Sequence, residues 1–183
     1  NLDGALSLFQ AATGVDPVKG TTSSGLIQEQ GERIRAGLEE CRASGGLGQR
    51  PCLIVNGRCD SIISPNHASR SYLGRNLLVE GEGSRLSYLE VEHAHHLDTL
   101  NALPGMARRY VPLTPHLFKA LSMVDEHLSC NAALPPSQVV RSTPREVIDG
   151  KVVPLDERHL GTFQSEPGEN IIVLRDGVLE IPE

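Results

Sequence analysis

The chain has 183 residues, 39% of them hydrophobic, and 17 Lys and Arg stand against 23 Asp and Glu for a net charge of −6. That length suffices to bury a core, and the acidic balance argues against a nucleic-acid partner, whose phosphates are met by clustered Lys and Arg. No run approaches the roughly 18 consecutive apolar residues of a membrane span, and residues 1–15 lack the basic-then-apolar order of a signal peptide, so no membrane partner is expected.

The chain starts at Asn1-Leu2-Asp3 rather than Met, and is expected to be a segment of a longer parent polypeptide. The fragment itself does not reveal a location; an extracellular or periplasmic one is favoured for the parent. Cys41, Cys52, Cys59 and Cys130 follow neither the paired spacing of zinc sites nor the density of a disulfide scaffold. Most are expected as buried small hydrophobes. A Cys41–Cys52 disulfide stays open if the parent is exported.

Residues 3–13 place Ala5, Leu6, Leu8, Phe9 and Ala12 on one face of a short helix ended by Gly14. Ser23 or Ser24 can cap a second helix in which Ile27, Ile34, Leu38 and Cys41 recur at helical spacing among charged residues. After Gly45, Gly46, Gly48 and Pro51, the apolar run at 52–56 predicts a buried parallel strand. Ser64 as cap and Pro65 at the first helical position predict a helix to about Leu73. The turn at 81–84 then leads to a second strand at 86–91, which makes a βαβ unit. Two strands cannot stand alone, so the rest of the sheet is expected from missing sequence or a partner chain.

From Pro115 to Leu128, the positions Leu117, Phe118, Leu121, Val124 and Leu128 predict an amphipathic helix covering one face of the sheet. Beyond Pro135-Pro136, the pairs Asp149-Gly150 and Asp176-Gly177 sit between β-branched residues as hairpin turns do. These elements give an α/β fold, a parallel sheet with flanking helices plus a small β-rich tail, and the order of Asp60 and His96 after its strands makes it the expected C-terminal part of an α/β-hydrolase fold. In this division residues 1–131 belong to the hydrolase domain, with 1–50 helical and a candidate cap region. Residues 51–131 supply the last strands, the site loops and the covering helix, and 132–183 form the tail.

Functional groups of an open parallel sheet gather on loops at the carboxyl ends of its strands. Asp60 follows the first strand, and His93, His95, His96 and Asp98 follow the second. An acid after one strand and a histidine after the next is the order of the α/β-hydrolase triad Ser, Asp, His. A serine hydroxyl needs a neutral imidazole to take its proton, and the imidazole needs a carboxylate to fix its tautomer. Asp60 and His96 can fill those two roles. The bland alternative has Asp60 capping a turn and the histidines lining a solvated loop. No Gly-x-Ser-x-Gly occurs, so the nucleophile is not in this chain, and Gly20 to Gly25 reads as a cap and loop. A zinc site on His93, His95, His96 and Asp98 is the rival reading. It lacks the Asp at 97 that a binuclear pattern requires, and no metal is expected.

Several stretches resemble the D-(−)-3-hydroxybutyrate oligomer hydrolases: Asp3-Gly4-Ala5-Leu6, Val55 to Asp60, Ser64 to Arg70, Tyr88 to Val91 and Ala94 to Asp98. Leu134-Pro135-Pro136-Ser137-Gln138-Val139-Val140-Arg141 with Thr143-Pro144-Arg145 completes the likeness as a marker without evident catalytic meaning. The resemblance implies hydrolysis of short 3-hydroxybutyrate esters to monomers in poly(3-hydroxybutyrate) degradation. It also implies no cofactor and a serine upstream, so this chain alone is expected to be inactive. The family pattern has Gln and Phe around the triad histidine, where this chain has His95 and Leu97. Alignment on Ala94 and Asp98 selects His96, with His95 as the fallback. A different esterase of the feruloyl-esterase or tannase type and a non-catalytic interaction module remain the alternatives.

Overall fold

The structure, a computed structural model, describes residues 2–22 and 26–183. They form two compact units, divided between Ala43 and Ser44. In the first, helix α1 (Leu2–Thr13) packs on helix α2 (Leu26–Cys41). Gly14, at φ +73°, ends α1 by donating its N–H to the Gln10 carbonyl at 2.9 Å. The expected caps Ser23 and Ser24 lie outside the described residues.

The second unit is built on a parallel sheet. Strand β1 (Cys52–Gly57) is followed by helix α3 (Ser69–Glu80) and strand β2 (Leu86–Val91), paired in register from Cys52 with Leu86 to Gly57 with Val91. This is the expected βαβ unit. Its helix differs from the expected one. Pro65–His67 form only a 3-10 turn, Ser64 makes no side-chain cap, and Ala68 at φ −131°, ψ −97° interrupts the helix. The α-helix starts at Ser69, passes through Gly74 and runs to Glu80, because Leu73 and Asn76 are buried along it and the first left-handed glycine is Gly81.

Helix α4 (Thr114–Cys130) follows and packs on β1. The face it buries is not the expected one. His116 and Ala120 point inward, whereas Leu117, Phe118, Leu121 and Leu128 are 49%, 65%, 56% and 70% exposed. Hydrophobic periodicity finds an apolar stripe without telling which neighbour covers it.

The third strand of the sheet comes from the chain's own tail: β3 (Gln138–Val140) pairs parallel with β2, giving the order β1-β2-β3. The tail thus lends a strand to the sheet. Its hairpins β4–β5 (Val147–Ile148 and Lys151–Val152) and β6–β7 (Val173–Arg175 and Val178–Glu180) flank the short helix α5 (Glu157–Leu160). Both expected Asp-Gly turns are present, with φ of 51° and 74° at Asp149 and Gly150, and 49° and 78° at Asp176 and Gly177.

Alternation along the strands gives the sheet two cores. On one face Leu86, Tyr88, Val139, Leu73 and Ile172 pack together; on the other, Leu89, Val91, Val140, Ala94 and Val111. β2 is buried along its whole length. The four cysteines are free, and Cys41, Cys59 and Cys130 are exposed, contrary to the expected burial; the Cys59 and Cys130 thiols meet the Glu92 and Glu126 carbonyls instead. No helix of the described residues is long and apolar enough to cross a membrane.

Candidate active site

β1 and β2 are parallel neighbours, so their carboxyl ends lie side by side and the loops after them meet. Gly57 makes the meeting close. A Cβ built there would fall against the Ala94 carbonyl oxygen, 2.5 Å from the Ala94 carbonyl carbon and 2.9 Å from the His95 amide nitrogen. Backbone bonds tie the loops further, from Arg58 N to Val91 O at 2.8 Å and from Cys59 N to Ala94 O at 2.9 Å.

Across this seam Asp60 Oδ2 lies 2.8 Å from His96 Nδ1. The other carboxylate oxygen, Oδ1, accepts from the amides of Ile62 and Ile63 at 3.0 and 2.9 Å. Asp60 is 6% exposed. Burial pushes its carboxyl up, but the Ile63 amide, His96 and the Ile62 amide together hold it below the usual carboxylate range. An ionised Asp60 can only accept a hydrogen bond, so His96 donates to it through Nδ1–H. His96 borders a concavity of about 290 Å³ lined by Val55, Leu97, Asp98, Leu113, Thr114 and Leu117.

The other loop residues take separate partners. His93 Nδ1 meets the Ser142 carbonyl at 2.9 Å, which ties the end of β2 to the segment after β3. His95 is buried, faces Asn101 Oδ1 through Nε2 at 3.1 Å and meets the Tyr110 ring edge-on. Asp98 accepts from the Leu113 and Thr114 amides, both at 2.7 Å, and from the Thr114 hydroxyl. It therefore anchors the histidine loop to the start of α4, where free amides and the helix dipole favour a carboxylate.

The marker at 134–145 has a structural meaning. Gln138 is fully buried: its amide nitrogen donates to the Pro136 and Gln164 carbonyls, and its oxygen accepts from the Gln164 amide at 2.8 Å. Arg141 bridges Asn170 and Glu92, and Arg145 reaches the Ala107 carbonyl. The Gln138 and Asn170 bonds hold the tail together, and the Arg141–Glu92 and Arg145–Ala107 bonds tie it to the segment that follows β2. Sequence reasoning missed a further group, Glu90 with Arg58, Arg70 and Tyr88, because a charged residue in a strand reads as solvent-facing when its partners are distant in sequence.

The family described as 3HB-oligomer hydrolase matches residues 1–183, the whole length. The chain belongs to that family. Among its relatives is a D-(−)-3-hydroxybutyrate oligomer hydrolase of Cupriavidus pinatubonensis, 43% identical over 146 residues, 79% of this chain and 19% of the relative. Proteins of the same name from Burkholderia thailandensis and Burkholderia mallei are 37% and 36% identical over 149 residues, 81% of this chain and 21% of each relative. This member thus spans about a fifth of the length of the curated relatives it matches. No solved structure matches it.

Proposed function

We propose that this chain is the acid-and-histidine portion of a carboxylic-ester hydrolase that cleaves short D-3-hydroxybutyrate oligomers to monomers. The observation that carries the reading is the 2.8 Å contact between buried Asp60 and His96, seated where two parallel strands end. The relatives' name supports the substrate class. In this reading the fold is an α/β-hydrolase, residues 1–131 belong to its main domain, and the serine lies elsewhere in the parent polypeptide. Two surfaces suit such a completion. β1 pairs with no strand on its outer side among the described residues, and the apolar stripe of α4 stands open.

His96 Nε2 takes the proton from the serine hydroxyl as its oxygen attacks the ester carbonyl, while Asp60 keeps the imidazole in the Nδ1–H tautomer and stabilises the imidazolium. The same proton then passes to the departing 3-hydroxybutyrate oxygen, leaving an acyl-serine. Water, deprotonated by His96, releases the second product and restores the hydroxyl.

Hydrolysis of 3-hydroxybutyrate dimer and trimer against aryl esters, by the parent polypeptide and by the 183-residue chain, tests the reading. The parent is expected to prefer the hydroxybutyrate esters, and the chain alone to turn over neither. Preference of the parent for aryl esters, or turnover by the chain alone, would overturn it.

A further inference from the structure

Glu90 is fully buried in the middle sheet strand, and all its hydrogen-bonding capacity is used. Oε1 accepts from Arg58 Nε at 2.5 Å and Arg70 Nη2 at 2.6 Å; Oε2 accepts from Arg70 Nε and the Tyr88 hydroxyl, both at 2.7 Å. Tyr88 and Glu90 share a sheet face because strand side chains alternate. The two arginines come from the opposite ends of one loop: Arg58 stands two residues before Asp60, and Arg70 lies in the first turn of α3. Arg70 also holds Asn66, inside that loop, at 2.9 Å. Arg58 has a second duty, donating through Nη2 to the Pro182 carbonyl at 2.6 Å, so the last residues of the tail join the same cluster.

We propose that Glu90 is a positioning residue, which fastens both ends of the Asp60 loop, and through Arg58 the C-terminal segment, to the strand that leads to His96. The proposal rests on Asp60 and His96 being the catalytic pair. Buried ion pairs add little net stability, because desolvation offsets their attraction. What the Arg70 fork on the carboxylate and the Arg58 guanidinium, split between Glu90 and the Pro182 carbonyl, do supply is a fixed geometry. The loop between them holds only a 3-10 turn, and beside the Arg58 and Cys59 backbone bonds near its start the clamp fixes both of its ends, which narrows the positions its acid can take against the imidazole. This also gives the C-terminal tail a role in the site that its distance in sequence conceals.

The test compares Arg58→Met, Arg58→Lys and Asp60→Asn in the parent polypeptide, with 3-hydroxybutyrate dimer as substrate and carboxyl NMR following the Asp60 titration. Arg58→Met leaves Glu90 its two Arg70 bonds and the Tyr88 hydroxyl, so the fold is kept. It is expected to lower kcat by between about ten- and a hundredfold, the scale of a misplaced catalytic group. KM should stay within about twofold, and Asp60 should titrate closer to the usual carboxylate range as its contact with His96 loosens. Arg58→Lys keeps the charge and loses the fork, so it should fall between Arg58→Met and the native enzyme. Native kcat and an unmoved Asp60 titration in Arg58→Met, beside a strong loss in Asp60→Asn, would overturn the clamp and leave the acid–histidine pair standing. Native kcat in Asp60→Asn would overturn the pair itself, and the clamp's catalytic role with it.

Discussion

Gly57→Ala isolates the seam between the two site loops. Its new Cβ would meet backbone atoms, with the Ala94 carbonyl carbon 2.5 Å away and the His95 amide nitrogen 2.9 Å away. Unstrained carbon contacts lie near 3.5 Å, so the loops must part by about 1 Å. That movement stretches the 2.8 Å bond from Asp60 to His96 beyond hydrogen-bonding range. Forcing one carbon into a closed backbone contact costs about 1–3 kcal/mol, and a displacement of about 1 Å at a catalytic group lowers turnover on the order of 10²-fold. Urea unfolding of the 183-residue chain reads the first effect; hydrolysis of 3-hydroxybutyrate dimer by the parent polypeptide reads the second. Gly74→Ala is the control, since its Cβ would meet nothing within 4 Å inside α3, and it should stabilise by up to about 1 kcal/mol. If Gly57→Ala unfolds and turns over like the native protein, the loops do not touch as described.

Two further outcomes follow from the same loops. Asp60 titrates below its unfolded value, so its stabilising contribution is present above the ordinary carboxylate range and disappears as pH falls through the lower, folded value. Asp60→Asn should therefore flatten the acid limb of stability against pH, measured by urea unfolding at stepped pH; an unchanged limb would refute that assignment. Asp98→Ala removes three bonds at the start of α4 and should destabilise the chain by about 1–2 kcal/mol in thermal unfolding, whereas a native melting point would mean that other groups hold that helix end.

Much of this architecture was legible in the residues. The run 52–56, the strand formers at 86–91 and the Asp-Gly pairs have local causes, so pattern alone locates them. The order of Asp60 and His96 after consecutive strands likewise needs no structure to notice. Three features depended on distant partners and were not legible. β3 has only three residues and joins the sheet at its edge beside β2, where its buried Gln138 is satisfied by Gln164. α4 turns His116 inward because its Nε2 meets the Leu160 carbonyl at 2.8 Å, a bond that hydrophobic spacing cannot anticipate. Glu90 is buried only because Arg58, 32 positions away, and Arg70, 20 positions away, reach it.

The most direct test of the central claim is turnover of 3-hydroxybutyrate dimer by the parent polypeptide carrying single alanine substitutions at His93, His95 and His96. His96→Ala should lower kcat by on the order of 10³-fold or more with the fold intact, since only binding and oxyanion stabilisation would remain. His93→Ala and His95→Ala should lose far less, because their rings face Ser142 and Asn101 rather than Asp60. Near-native kcat in His96→Ala would contradict the account.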